Sequence, residues 1–168
     1  MRIRVAGRQT LDGQYTPSGN PNAAMALLAA ALLTAQTVTL HNWPDTTNTQ
    51  TMQLVAARLG AKITRAENHT LVVQGEQINR RALTTGDTSG LVSSFLYLAP
   101  MLLRRQHVRL EIDFPLNRIR THLEALRDLG QEVSATTEAV EVRAVPWDKK
   151  EIILTQASVT ATAIVLML

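Results

Sequence analysis

Pro17–Leu33, PSGNPNAAMALLAAALL, decides the fold. Its Ser-Gly pair leads into a run of Ala, Leu and Met with no polar face, and a helix apolar on every side has to be buried. The pattern returns at Thr88–Leu103 (TSGLVSSFLYLAPMLL) and starts a third time at Ala157–Leu168 (ASVTATAIVLML). Ser18, Ser89 and Ser158 lie roughly 70 residues apart, a spacing of duplicated supersecondary units rather than of a solenoid. At about 12 residues the first helix is too short to span a bilayer.

Working outward from the first helix, Val38–Leu40 reads as a strand closed by the turn Asn42-Trp43-Pro44-Asp45. Thr46 or Thr47 can cap a second helix with an apolar stripe at Met52, Leu54, Val55 and Leu59, and Gly60 is placed to end it. Ala61–Ile63 and Thr70–Val73 then form an antiparallel pair joined through Glu67-Asn68-His69. The next stretch repeats this order. Leu91–Leu103 is the buried helix, Val108–Ile112 the strand, Asp113-Phe114-Pro115 the turn, and Arg118–Leu129 the amphipathic helix closed by Gly130. Glu132–Ser134 and Ala139–Val142 supply the paired strands. A third unit opens with a strand at Ile152–Leu154 and a helix from Ser158.

The expected fold is therefore α/β, built of repeated helix-strand-helix-strand-strand units over about 17–85, 86–150 and an incomplete 151–168. Ahead of them, residues 1–16 form an N-terminal strand segment, with Arg2–Ala6 alternating as a half-buried strand and Gln14–Thr16 as a second short one. A third helix ending in AIVLML exposes a large apolar surface. Either the chain is a fragment, or a second copy (a homo-oligomer) or another polypeptide covers that end.

Composition narrows the function. With 168 residues and 45% apolar content the chain can bury one ordinary core, and without cysteine it has no disulfide, thiolate nucleophile or Cys-based metal site. No signal-peptide h-region and no long apolar run occur, so neither a membrane nor export is expected and the cytoplasm is the default. The net charge is +3. Its basic residues are scattered, with short pairs at Arg80-Arg81, Arg104-Arg105 and Lys149-Lys150, and 4% aromatic content offers no stacking platform. Nucleic acid is not an expected partner. His41, His69, His107 and His122 lie far apart near element ends, read as surface or boundary residues, so no metal is expected. No P-loop or other cofactor motif appears, and no cofactor is expected.

The turns before the buried helices are the candidate site. Ser18-Gly19, Ser89-Gly90 and Ser158-Val159-Thr160 place hydroxyls and backbone N–H groups at helix starts, where a phosphate or carboxylate is favoured. The same hydroxyls serve equally as plain helix caps.

PSGNPNAAMALLAAALL, VTLHNWPDTTNTQTMQLVAARLGAKI, SSFLYLAPMLLRR, HLEALRDLG and ASVTAT together resemble the enolpyruvyl transferase superfamily, most firmly over Asn42–Ile63. The resemblance covers nearly the whole chain and about the first two fifths of such an enzyme. It implies an inside-out α/β barrel, with helices inside and sheets outside, and an active site in a cleft against a second domain that is missing here. The implied ligands are a UDP-sugar and phosphoenolpyruvate, in peptidoglycan synthesis.

Residue by residue, the implied site is partly emptied. The family's Lys-Asn pair falls on Pro21 and Asn22, which keeps only the asparagine, and a family arginine falls on Val92. The loop carrying the cysteine acid shrinks to Leu116-Asn117. In the adjoining string, Asn117-Arg118-Ile119-Arg120-Thr121-His122, the histidine alone stays in register, and Arg118 or Arg120 could substitute by a shift. The nucleotide-binding Ser-Val-Gly becomes Ser158-Val159-Thr160. Enolpyruvyl transfer needs fixed cations and an acid, and losing one such group costs about two powers of ten in rate or more. The resemblance thus implies a diverged, catalytically silent domain. A longer functional transferase and a non-catalytic interaction module are the other readings.

Overall fold

Helix α1 (Pro21–Ala31) starts where Asn20 caps it: the Asn20 side chain accepts from the Asn22 and Ala23 backbone N–H groups at 2.9 and 3.1 Å. Pro21 occupies the first helical position, where its missing N–H costs nothing. The expected cap, Ser18, lies outside the helix, and Gly19 instead lets the chain pass so close to the Asn42 carbonyl that a Cβ would collide with it. In this computed structural model residues 2–10, 12–146 and 151–168 are described. The Lys149-Lys150 pair and the unit boundary at 150 lie outside them.

The first unit has the expected order. Strand β1 (Thr37–Leu40), helix α2 (Thr47–Leu59), strand β2 (Lys62–Ala66) and strand β3 (Thr70–Gln74) succeed α1, and the sheet order is β1-β3-β2, antiparallel throughout. Thr46 caps α2 through a reciprocal box, its N–H donating to Thr49 Oγ1 (3.0 Å) while Thr49 N–H donates back to Thr46 Oγ1 (3.3 Å). Gly60 ends the helix in the left-handed region with φ of 111°.

The second unit has more parts than its sequence suggested. A two-residue strand β4 (Ala82–Leu83) and a short helix α3 (Thr85–Thr88) come first. A 3-10 segment (Val92–Tyr97) and helix α4 (Leu98–Arg105) then replace the single expected helix over Leu91–Leu103. Pro100 gives the reason: its ring has no N–H and crowds the carbonyl four residues back, at Leu96, so the preceding turn tightens. Strand β5 (His107–Glu111), a 3-10 turn (Leu116–Arg118), helix α5 (Arg120–Asp128), strand β6 (Glu132–Ala135) and strand β7 (Ala139–Arg143) complete the unit. The second sheet runs β4-β5-β7-β6, with β4 parallel to β5 and the rest antiparallel. Helix α6 (Val159–Met167) closes the chain.

Helices gather in the middle and sheets face outward, without closing into a barrel. α1 touches α2, the 92–97 segment, α4, α6, β1 and β3. Leu28, Leu32, Met52, Leu59, Leu71, Tyr97, Leu98 and Met101 are fully buried there, each worth about 1.5–3 kcal/mol for the aliphatic side chains. Tyr97 satisfies its buried hydroxyl by donating to the Met52 carbonyl at 2.6 Å. Outer sheet faces carry Thr37, Thr39, Lys62 and Gln74 in one sheet and Arg109, Glu132, Glu141 and Arg143 in the other.

Several expectations are corrected. Arg2–Ala6 and Gln14–Thr16 are exposed and form no strand, because no neighbouring strand takes up their N–H and C=O groups among the described residues. Ile152–Leu154 also forms no strand. Ser89 does not start a helix: with φ of 49° it ends α3 as a left-handed cap, and Gly90 at φ of 70° continues the turn. α1 is not buried on every side either, since Leu27 is 54% exposed.

Gly60→Ala tests the αL cap. Its φ suits glycine, and a Cβ there meets the Gln77 carbonyl oxygen. The substitution should destabilise the chain by about 1–3 kcal/mol in urea unfolding. An unchanged midpoint would contradict this packing.

Candidate functional site at the junction of α5 and α6

The break between the 3-10 turn and α5 falls at Ile119, whose φ of −119° takes it out of helical geometry while its side chain stays fully buried. With Ile119 anchored in the core, the facing of its neighbours is set. Arg118 and Arg120 point outward and are exposed, whereas His122, two residues on, turns inward and is 6% exposed. His122 is therefore not the surface or boundary residue expected. Its Nε2 shares a hydrogen bond of 2.6 Å with Thr160 Oγ1, and its ring meets Phe95 edge-on at 5.6 Å.

Thr160 belongs to the first turn of α6, which Ser158 caps by accepting from the Ala161 N–H at 3.2 Å. This start matches the expected Ser158-Val159-Thr160 cap. The side chain of Val159 is 75% exposed beside it. A helix start presents N–H groups and partial positive charge, suited to an anion.

A second tie crosses the same junction. Thr155 Oγ1 donates to Glu124 Oε2 at 2.5 Å, and Arg120 Nε donates to Glu124 Oε1 at 2.7 Å. Those two hydrogen bonds, Thr155's first, hold the Glu124 carboxyl below its ordinary range. Arg120 is thereby already neutralised. It lines a cleft of about 320 Å³ with Leu116, Asn117, Leu123, Glu124 and Arg127. The Arg118 guanidinium makes no hydrogen bond or ion pair among the described residues, while its backbone N–H donates to the Pro115 carbonyl at 3.0 Å.

The seven expected site residues thus divide. Arg120, His122, Ser158, Val159 and Thr160 come together where α5 meets α6, with Arg118 at the preceding turn. Asn22 lies elsewhere, exposed in the first turn of α1 beside a cleft of about 230 Å³ lined by Gly19, Asn20, His41, Asn42 and Trp43. No hydrogen bond links it to α5 or α6. Among the described residues no cluster of three His, Asp or Glu side chains could hold a metal ion, and no helix is long and apolar enough to cross a membrane.

Three participants escaped the sequence reading. Glu124 was detectable, since it stands four residues after Arg120 on one helix face. Asn20 was detectable as a cap directly before a proline. Nothing local marks Thr155, which reaches Glu124 across 31 positions of chain.

Ser158→Ala removes the α6 cap and should cost about 1 kcal/mol of stability, read from denaturant midpoints. No change beyond experimental scatter would mean that the hydroxyl does not hold the helix start.

Known proteins share this architecture. A family model for EPSP synthase (3-phosphoshikimate 1-carboxyvinyltransferase) matches residues 5–168. UDP-N-acetylglucosamine 1-carboxyvinyltransferase of Prochlorococcus marinus is 30% identical over 173 residues, covering 98% of this chain and 38% of that protein. The Bradyrhizobium diazoefficiens enzyme of the same name is 34% identical over 162 residues, covering 94% and 37%. The chain therefore spans about two fifths of the length of these relatives. Among solved structures, the enolpyruvyl transferase NikO from Streptomyces tendae superposes with a TM-score of 0.71 at 20% identity, over 84% of this chain and 32% of that one. EPSP synthase from Acinetobacter baumannii gives 0.66 at 15% identity, over 92% and 37%. These two carry the fold alone. With its matched span running from residue 5 to the last residue, the chain belongs to the EPSP synthase (3-phosphoshikimate 1-carboxyvinyltransferase) family, whose resemblance was already visible in its motifs.

Proposed function

We propose that this chain is a nucleotide-sugar-binding domain of the enolpyruvyl transferase type, taking UDP-N-acetylglucosamine, and that it does not itself turn over phosphoenolpyruvate. The division into residues 1–16 and a domain over 17–168 of duplicated units is part of this reading. One observation carries it: α5 and α6 are held together through His122 and Thr160 at the capped start of α6. Backbone N–H groups there can receive a diphosphate even with threonine in the glycine's place.

The absence of turnover follows from the charges. Phosphoenolpyruvate is a trianion whose phosphate must be expelled, and fixed cations with an acid do that work. Pro21 stands where a lysine is expected, and the Asn22 N–H is already used by Asn20. Arg120 is committed to Glu124. Arg118 is the one cation of the candidate set left without a partner among the described residues, and it supplies no acid.

A longer functioning transferase is the second reading, favoured by the 38% of a full-length relative that the chain covers. Calorimetric titration with UDP-N-acetylglucosamine should give saturable heat, and phosphate release from phosphoenolpyruvate with that sugar present should stay at background. Absence of saturable heat overturns the binding half. Phosphate release above background overturns the silent half and favours the second reading.

A further inference from the structure

We infer that His122 is a proton-operated latch on α6: the neutral ring keeps α6 docked on α5, and a protonated ring releases it. The latch needs no ligand and stands whether or not a nucleotide sugar binds.

The geometry supports it from both sides of the ring. Nε2 is committed to Thr160 at 2.6 Å, and Nδ1 is buried without a hydrogen-bond partner. A protonated imidazole donates from both nitrogens. The second N–H would then have only the Ile119 carbonyl beside it, which already accepts from the Leu123 N–H at 3.0 Å, and a buried charge with incomplete hydrogen bonding is costly. Undocking α6 relieves this by admitting water.

Little nearby compensates a charge on the ring. The nine residues of α6, VTATAIVLM, include no ionisable side chain. In the 92–97 segment Tyr97 alone ionises, and its hydroxyl is spent on Met52. The other charged groups on α5 and on the turn and strand packed against it are Arg118, Arg120, Arg127, Asp128 and Glu132, all exposed, and the half-buried Glu124, which already binds Arg120 and Thr155. Burial lowers the His122 pKa from its ordinary 6.5, outweighing an opposing backbone interaction at Ile119. A histidine shifted down gives stability that is complete above the ordinary value and lost as pH falls below it. Glu124 is shifted down as well and stays ionised through that window, so the Thr155 tie does not release with the latch.

Hydrogen–deuterium exchange on the whole chain tests this, comparing the α6 peptide with α2 as an internal reference after correction for intrinsic rates. Between about pH 7.5 and about pH 5, α6 protection relative to α2 should fall, by about tenfold where the ring's midpoint in the folded chain lies one pH unit below 6.5. His122→Gln, which hydrogen-bonds but does not ionise, should show no such pH dependence. A constant ratio in the unaltered chain, or the same loss in the variant, overturns the latch. If the variant fails to fold, ring titration by NMR in the unaltered chain decides. A midpoint below 6.5 with Thr160 and Ile164 amides shifting at the same pH supports the latch, and a midpoint at or above 6.5 overturns it.

Discussion

Apart from its Asn20 cap, a helix without one charged side chain is held in place by burial, and α1 is such a helix. It touches elements of both sheets' units, so its buried face, Met25, Leu28, Ala29 and Leu32, is shared by everything around it. Small alanines let neighbours approach closely, while the leucines fill the gaps between them. Removing α1 from its place would leave α2, the 92–97 segment, α4 and α6 without a common core. The orientation of α6, and with it the α5 junction, depends on that packing.

On this scaffold the polar chemistry is concentrated and largely self-satisfied. Arg120 meets Glu124, Glu124 meets Thr155, Thr160 meets His122, and Ser158 meets its own helix. Each pairing uses a group that could otherwise meet a ligand. What stays open is the backbone at the start of α6 and the exposed Arg118. The proposed reading, a site that holds an anion without driving bond cleavage, rests on this difference, because binding can use N–H dipoles whereas expelling phosphate needs fixed charge and a proton.

Much of the first unit was legible in its sequence because its signals are local. Thr46 before an amphipathic stripe, Gly60 after it, and the short apolar run Leu71–Val73 each announce their own structure within a few residues. The second unit was harder. Pro100 inside an apolar run marks a tightened turn that the run's helical look hides, and the Thr84–Asp87 capping box lies ahead of that run in a stretch with no apolar pattern of its own. Ser89-Gly90 is ambiguous in principle, since the same pair can open a helix or end one. Arg2–Ala6 failed for a different reason: alternation describes a strand's faces, but only a neighbouring strand can satisfy its backbone. The site was half visible. His122 and Thr160 were each identifiable, yet their contact spans 38 positions and depends on how α6 lies across α5.

The α5–α6 junction can be tested as the ligand site by tracking backbone amides in solution while UDP-N-acetylglucosamine is added to the chain. Chemical shift changes should concentrate at Val159, Thr160 and Ala161 and at Arg118–His122, with the outer sheet strands unmoved. Saturating changes confined to the α1 start or the sheet faces, with the α6 start unmoved, would contradict the assignment.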